Sequence, residues 1–183
     1  SKRAWLVHRL DRETSGVMVF AKSAEMRDAL QAAWDKTEKH YLAAVRGTLA
    51  EKHGLLENWL VENDDLFVHC VPREIPGAKF ARTAYTVLAE KNGLSLLDVR
   101  LLTGRKHQIR VQFAERGHPV VGDEKYRGPK APRLALHARS LAFPHPRTGK
   151  RLAFETPAPP CFAALFGAFD VAVPSRPVLP AGR

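Results

Sequence analysis

Residues 82–102 constrain the fold more than any other stretch. From Arg82 to Glu90 apolar and polar residues alternate, Asn92-Gly93 follows, and an apolar run returns from Leu94 to Leu102. Alternation of period two marks a strand with one buried face. Asn-Gly suits a two-residue hairpin turn because both positions accept positive φ. An antiparallel pair near the middle of the chain is therefore expected. Residues 40–47 read as another strand, and 134–143 and 152–155 as a pair about a turn at 144–150.

Ser23 is placed as an N-cap with Glu25 in the first turn, and Met26, Ala29, Leu30, Ala33 and Trp34 recur at the helical period. A second helix is expected over 107–116 with Gly117 as its C-terminal cap, and a short closing helix over 162–169. Residues 51–54 read as a turn. Pro72, Pro76 and Gly77 break up 55–79 into short strands and a basic loop. Hairpins with separated helices and no internal repeat predict an α+β fold.

The chain is long enough for one domain with a sizeable core. Lys and Arg number 29 against 19 Asp and Glu, giving a net charge of +10 and a pI ≈ 10.0. Such a surface suits a polyanion, first of all nucleic acid, although charge also serves solubility alone. No segment pairs a long apolar face with a basic one, and no apolar run reaches membrane-spanning length. Cys70 and Cys161 stand far apart outside any C-x-x-C pair. That argues against disulfides or zinc and for a reducing, cytoplasmic setting. A strand starts within a few residues of Ser1, so sequence upstream is expected; residues 173–183 are expected to be a Pro-rich tail.

Three clusters carry possible chemistry. Trp5-Leu-Val leads into His8-Arg-Leu-Asp-Arg-Glu-Thr-Ser-Gly16, and an apolar run over 17–20 leads out. Asp11 then sits in a loop between strands, with Arg9 and Arg12 beside it to favour its ionised form. Such a carboxylate serves as nucleophile or base, although a turn-capping role is the commoner fate of Asp in this setting. Tyr41, on the 40–47 strand, is either core or a face on which a base stacks. The third cluster, 101–111, ends a strand at Gly104 and opens a helix amid Arg105, Lys106, His107, Gln108 and Arg110. Helix N-termini favour anions. Arg110 lies one turn beyond Lys106, so it is expected to point at a carboxylate while Lys106 points to substrate.

Together these clusters resemble the motifs of the RluA-type RNA pseudouridine synthases. The matching runs are His8–Gly16, Lys39-His-Tyr-Leu-Ala-Ala-Val-Arg-Gly47 and Thr103-Gly-Arg-Lys-His-Gln-Ile-Arg-Val111. Gly117-His-Pro-Val-Val-Gly-Asp123 with Tyr126 follows, then Leu134-Ala-Leu-His-Ala138 with Phe143-Pro-His-Pro146. The resemblance implies the pseudouridine synthase catalytic-domain fold over residues 1–172, a mixed, mainly antiparallel sheet flanked by helices. The family's N-terminal strands are missing from it, and Gln112 stands where the family often has a second histidine, altering packing or RNA contact.

The resemblance further implies that Asp11 is the catalytic aspartate, and that Arg110 pairs with it. Tyr41 would pack against the target base and assist proton removal from carbon 5. Arg9, Arg105, Lys106, His107 and Gln108 would contact RNA or shape the pocket. The implied partner is rRNA or tRNA, met at a single-stranded or loop uridine by a monomer without metal or organic cofactor. Two alternatives remain at this point. One is a catalytically silent RNA-binding module on the same fold; the other is an unrelated phosphate hydrolase built on Asp11 and the His107 region.

Overall fold

The structure is a computed structural model in which residues 3–169 are described; the expected tail, 173–183, lies outside them. Three two-residue strands surround the first motif: β1 (Trp5–Leu6), β2 (Ser15–Gly16) and β3 (Phe20–Ala21). Helix α1 (Ala24–Ala32) leads through a tight turn at Trp34–Lys36 to β4 (Glu38–Arg46). Strands β5 (His53–Glu62), β6 (Val68–Val71), β7 (Lys79–Lys91) and β8 (Leu94–Leu101) follow, then α2 (Gln108–Glu115). The chain closes with β9 (Leu136–Pro144), β10 (Arg151–Glu155) and α3 (Pro160–Phe166).

The main sheet runs β10-β9-β4-β8-β7-β5-β6, with β2 added beside β9 as its eighth strand. β2 and β9 run parallel, and the other pairings in the sheet are antiparallel. The β7–β8 hairpin turns at Asn92 and Gly93, with φ of 53° and 71°, the left-handed pair that matches the twist of the flanking strands. Alternate residues of β4 and β8 feed two cores. Ala43, Val45, Leu97 and Val99 face Ile109 and Phe113 of α2. Leu42, Ala44 and Leu96 face Phe162 and Phe166 of α3. The sheet is thus covered on both sides, and Tyr41 stands at the edge of the α2 side.

Ser23 caps α1, its Oγ accepting from Met26 N at 3.2 Å. Four sequence expectations are corrected. The strands flanking Asp11 shrink to two-residue segments, β1 pairing only with β3. The turn at 51–54 gives way to strand from His53 onward, and α3 begins at Pro160 and ends at Phe166 rather than covering 162–169. Residues 55–79 contain one long strand, β5, and one short one, β6. Leu56 and Leu60 are buried on the inner face of β5, but Asn58 between them is polar, because it binds Gln112 and Arg116 of the α2 segment. That inward amide breaks the apolar alternation by which a strand is recognised.

Helix α2 has Gln108 through Phe113 all buried. The sheet lies along one side of it, while Val111 packs with Leu60, Val68 and Tyr126 on another. A helix enclosed this way needs no clean polar face.

Candidate active site

The loop carrying Asp11 is fastened at both ends. On its near side His8 Nε2 accepts from Val19 N at 3.1 Å, and the ring stacks on Trp34 with centroids 4.7 Å apart. On its far side Ser15 and Gly16 pair with His137 and Ala138 of β9, Ser15 Oγ meets His137 Nδ1 at 2.9 Å, and Val17 N donates to Ala138 O at 2.9 Å. A Cβ on Gly16 would stand 2.2 Å from Ala138 O, at a φ of +133°. Only glycine lets the loop lie this close to β9. Within the loop Thr14 N donates to Asp11 O at 3.0 Å.

Asp11 faces Arg110. Its Oδ2 accepts from Arg110 Nη1 at 3.2 Å, and its side chain remains 25% exposed. Arg110 is otherwise held from behind by Asp123, a motif residue for which the sequence implied no role. Nε and Nη2 donate to the two Asp123 oxygens at 2.7 and 2.8 Å, a bidentate fork. The Asp123 carboxylate is wholly buried and also accepts from Tyr126 N at 3.2 Å. Burial opposes the charge on Arg110, but the hydrogen bonds and charges of Asp123, then those of Asp11, outweigh it and raise its pKa. The guanidinium is thus a fixed donor, with one N–H face turned to Asp11. Arg110 is buried and Asp11 a quarter exposed, so the cation needs a second, buried anion; no sequence signal linked it to Asp123.

The flanking cations do not serve Asp11 as expected. Arg12 pairs with Glu13 at 3.3 Å and Arg9 is exposed; the partner of Asp11 comes from across the fold, because adjacent loop residues point to different sides. Tyr41 lies on β4, its hydroxyl without a hydrogen bond among the described residues. Burial, and then the charge of Asp11, push its pKa up to about 12. The phenol is therefore neutral at ordinary pH, and Asp11 is near enough for its charge to act on it.

His107 opens α2 in the left-handed conformation, with φ of 53°. Its Nδ1 lies 2.9 Å from Tyr126 Oη, which in turn donates to Val68 O at 3.1 Å. Burial lowers the pKa of His107, and the charge of Asp11 opposes that. Tyr126, a residue of the same motif as Asp123, supports the cluster with its ring, Arg110 lying 5.3 Å above its centroid.

The rest of the basic run divides. Arg105 is exposed, its Nε donating to Phe80 O at 3.0 Å, and Lys106 is exposed and paired with Glu62. Gln108 is not at the surface. It is 2% exposed, its Oε1 accepts from Thr103 Oγ1 and Arg105 N, and its Nε2 donates to Arg82 O and Thr83 Oγ1. Those bonds tie the start of α2 to β7 and leave nothing to offer RNA. Gln112 is fully buried, accepting from Thr83 Oγ1 at 2.6 Å and donating to Asn58 Oδ1 at 3.2 Å, so its consequence is for packing. A cavity lined by Arg139, Glu155, Ala163 and Phe169 lies on the α3 side of the sheet, away from all three motifs. Among the described residues no three His, Cys, Asp or Glu side chains converge as metal ligands would.

A carboxylate on an anchored loop, oriented by an arginine locked from behind and faced by a neutral phenol, is suited to nucleophilic or basic attack on a bound base or sugar. The family described as RNA pseudouridylate synthase matches residues 1–115. The chain belongs to that family. It is similar to ribosomal large subunit pseudouridine synthase D of Nitrosomonas europaea, 39% identical over 180 residues, covering 91% of this chain and 51% of that protein. It is also similar to dual-specificity RNA pseudouridine synthase RluA of Pasteurella multocida, 40% identical over 167 residues, covering 85% of this chain and 73% of that protein. Among solved structures, human RNA pseudouridylate synthase domain containing 1 superposes with a TM-score of 0.78 at 26% identity, covering 89% of this chain and 72% of that one. The α+β pseudouridine synthase fold is therefore shared. The chain spans about half the length of several of the curated relatives it matches.

Proposed function

We propose that this chain isomerises uridine in RNA to pseudouridine. The observation that carries the reading is that Asp11 of the first motif binds Arg110 of the third, while its charge acts on Tyr41 of the second, in a chain of this family. Asp11 attacks ribose C1′, and the electrons of the C1′–N1 bond leave with uracil N1. Alternatively it removes the 2′ proton, and the base leaves behind a glycal. The freed uracil turns over and C5 bonds to C1′; on the first route the ester oxygen leaves C1′, and on the second C2′ takes back its proton from the Asp11 carboxyl. C5 then loses its proton and N1 gains one, which restores the ring and leaves Asp11 as a carboxylate.

Each residue has a part in this. Arg110 holds the carboxylate in one orientation through Nη1 while Asp123 prevents the guanidinium from moving. Tyr41 offers a flat, neutral face that keeps the detached base in place. It also stands near enough to assist loss of the C5 proton. An ester at Asp11 removes the negative charge that is the second cause of the raised phenol pKa, so Tyr41 ionises more readily once the intermediate exists. The target nucleotide must leave its stack to reach Asp11, which favours loops and single strands. Ribosomal RNA is the first candidate, since four of the relatives are named for the ribosomal large subunit; transfer RNA is tested beside it.

The test incubates the protein with unmodified ribosomal and transfer RNA, digests to nucleosides and separates pseudouridine from uridine chromatographically. Pseudouridine is expected with the wild type and none with Asp11→Asn. RNA binding without product from either protein overturns the reading in favour of a silent binding module.

A further inference from the structure

The hydrogen atoms around His107 can be counted. Tyr126 has one phenolic proton and two neighbours, Val68 O at 3.1 Å and His107 Nδ1 at 2.9 Å. A backbone carbonyl only accepts. Both bonds form only if the Tyr126 proton goes to Val68 and the tyrosine oxygen accepts from Nδ1–H. The neutral imidazole then has its proton on Nδ1 and a bare lone pair on Nε2. No described residue engages Nε2. Tyr126 holds the ring both by that hydrogen bond and edge-on, with centroids 5.7 Å apart at 88°, and the backbone of His107 occupies the left-handed region. Such a conformation in a non-glycine residue is kept where the surroundings enforce it, and it clusters at functional sites. Arg110, one turn along the same helix, binds Asp11.

We infer that His107 Nε2 accepts a hydrogen bond from N3–H of the target uracil and is the pivot about which the detached base turns. The assignment rests on the pseudouridine synthase reading above. Exchanging N1 for C5 at the sugar requires a half-turn of the ring about the line through N3 and C6. That turn swaps O2 with O4 and N1 with C5, but N3–H lies on the axis and stays where it was. An acceptor facing N3–H therefore keeps its bond before, during and after rotation, which no partner of O2 or O4 does. A fixed lone pair also selects uridine, because cytosine presents its own lone pair at N3. The ring transfers no proton in this role. His107 is a positioning and specificity residue, and Tyr126 acts through it by fixing the tautomer.

The test uses short RNAs that differ only at the mapped target, carrying uridine, 3-methyluridine or 2′-deoxyuridine, with wild type, His107→Ala and His107→Gln. The wild type is expected to favour uridine over 3-methyluridine by about a hundredfold or more in kcat/KM, as sites built around a substrate donor do. His107→Ala removes the acceptor and leaves room for the methyl group, and is expected to narrow that ratio at least about tenfold, with kcat on uridine reduced. His107→Gln, whose Oε1 can accept at similar reach, is expected to restore part of the preference. An unchanged ratio in His107→Ala, with both rates falling together, overturns the pivot and makes the ring a support for the fold. Loss of discrimination confined to ribose against 2′-deoxyribose overturns it in favour of a sugar contact. Absence of product from wild type on every uridine RNA removes the underlying reading instead, and the pivot with it.

Discussion

Asp123 decides how the arginine behaves. Without it, Arg110 would be a buried cation free to wrap around Asp11 with its whole fork. With it, Nε and Nη2 are occupied and only Nη1 reaches the loop, at 3.2 Å. That leaves the other carboxylate oxygen of Asp11 without a hydrogen bond to a side chain among the described residues, as the proposed chemistry requires. Asp123→Asn should therefore cost more than its size implies, because the amide cannot serve both N–H groups and a buried charge is left half-matched. Breaking a buried pair from one side costs about 3–5 kcal/mol. Chemical unfolding is expected to show a loss of that order, with turnover falling further than RNA affinity. Stability equal to wild type would mean that Asp11 alone balances Arg110. This role was not legible in the sequence. Asp123 stands thirteen positions beyond Arg110 on a separate loop, with no local spacing to link them, and only the fold brings them together.

At the scale of elements, β2 is two residues long but sets where Asp11 stands. Its parallel pairing with β9 draws the motif loop onto the sheet, and Gly16 permits the contact. Gly16→Ala would press its Cβ into Ala138 O. Gly77, at a φ of +82° with open space around it, is the control that carries the backbone cost alone. Gly16→Ala is expected to lose about 2–3 kcal/mol of stability and about a hundredfold in kcat/KM, as a misplaced reacting group does; Gly77→Ala should lose less stability and no activity. Equal effects from the two would free β2 of any positioning role. The elements that sequence revealed best are those governed by local chemistry. The Asn92–Gly93 hairpin and the Ser23 cap are legible because turn and cap residues act on their own neighbours. The β5 strand was hidden because inward Asn58 answers to Gln112 across the core. Asp11, Tyr41 and Arg110 were legible as separate motif residues, but which cation faced Asp11 depended on tertiary structure.

For the whole molecule, the 29 Lys and Arg that give the net charge of +10 are not equally open to RNA, since several are held by carboxylates. Arg82 is paired with Glu57, Lys106 with Glu62 and Lys52 with Glu90. Arg9 and Arg105, at the two motif loops, have no carboxylate partner among the described residues. If RNA crosses this face, each phosphate contact appears in the salt dependence, about 0.7 in the slope of log affinity against log salt for single strands. Arg9→Gln and Arg105→Gln should each flatten the slope by about that amount. Lys106→Gln should flatten it less, because binding already has to separate Lys106 from Glu62. The reverse substitution is the sharper test. Glu62→Gln releases Lys106 without removing any cation, so affinity should rise and the slope should steepen by up to about 0.7, while Glu57→Gln reports whether freeing Arg82 does the same. A slope untouched by Glu62→Gln would put Lys106 outside the RNA footprint and shift the track toward Arg9, whereas a steeper one makes the Lys106–Glu62 pair a contact that RNA must open on its way to Asp11.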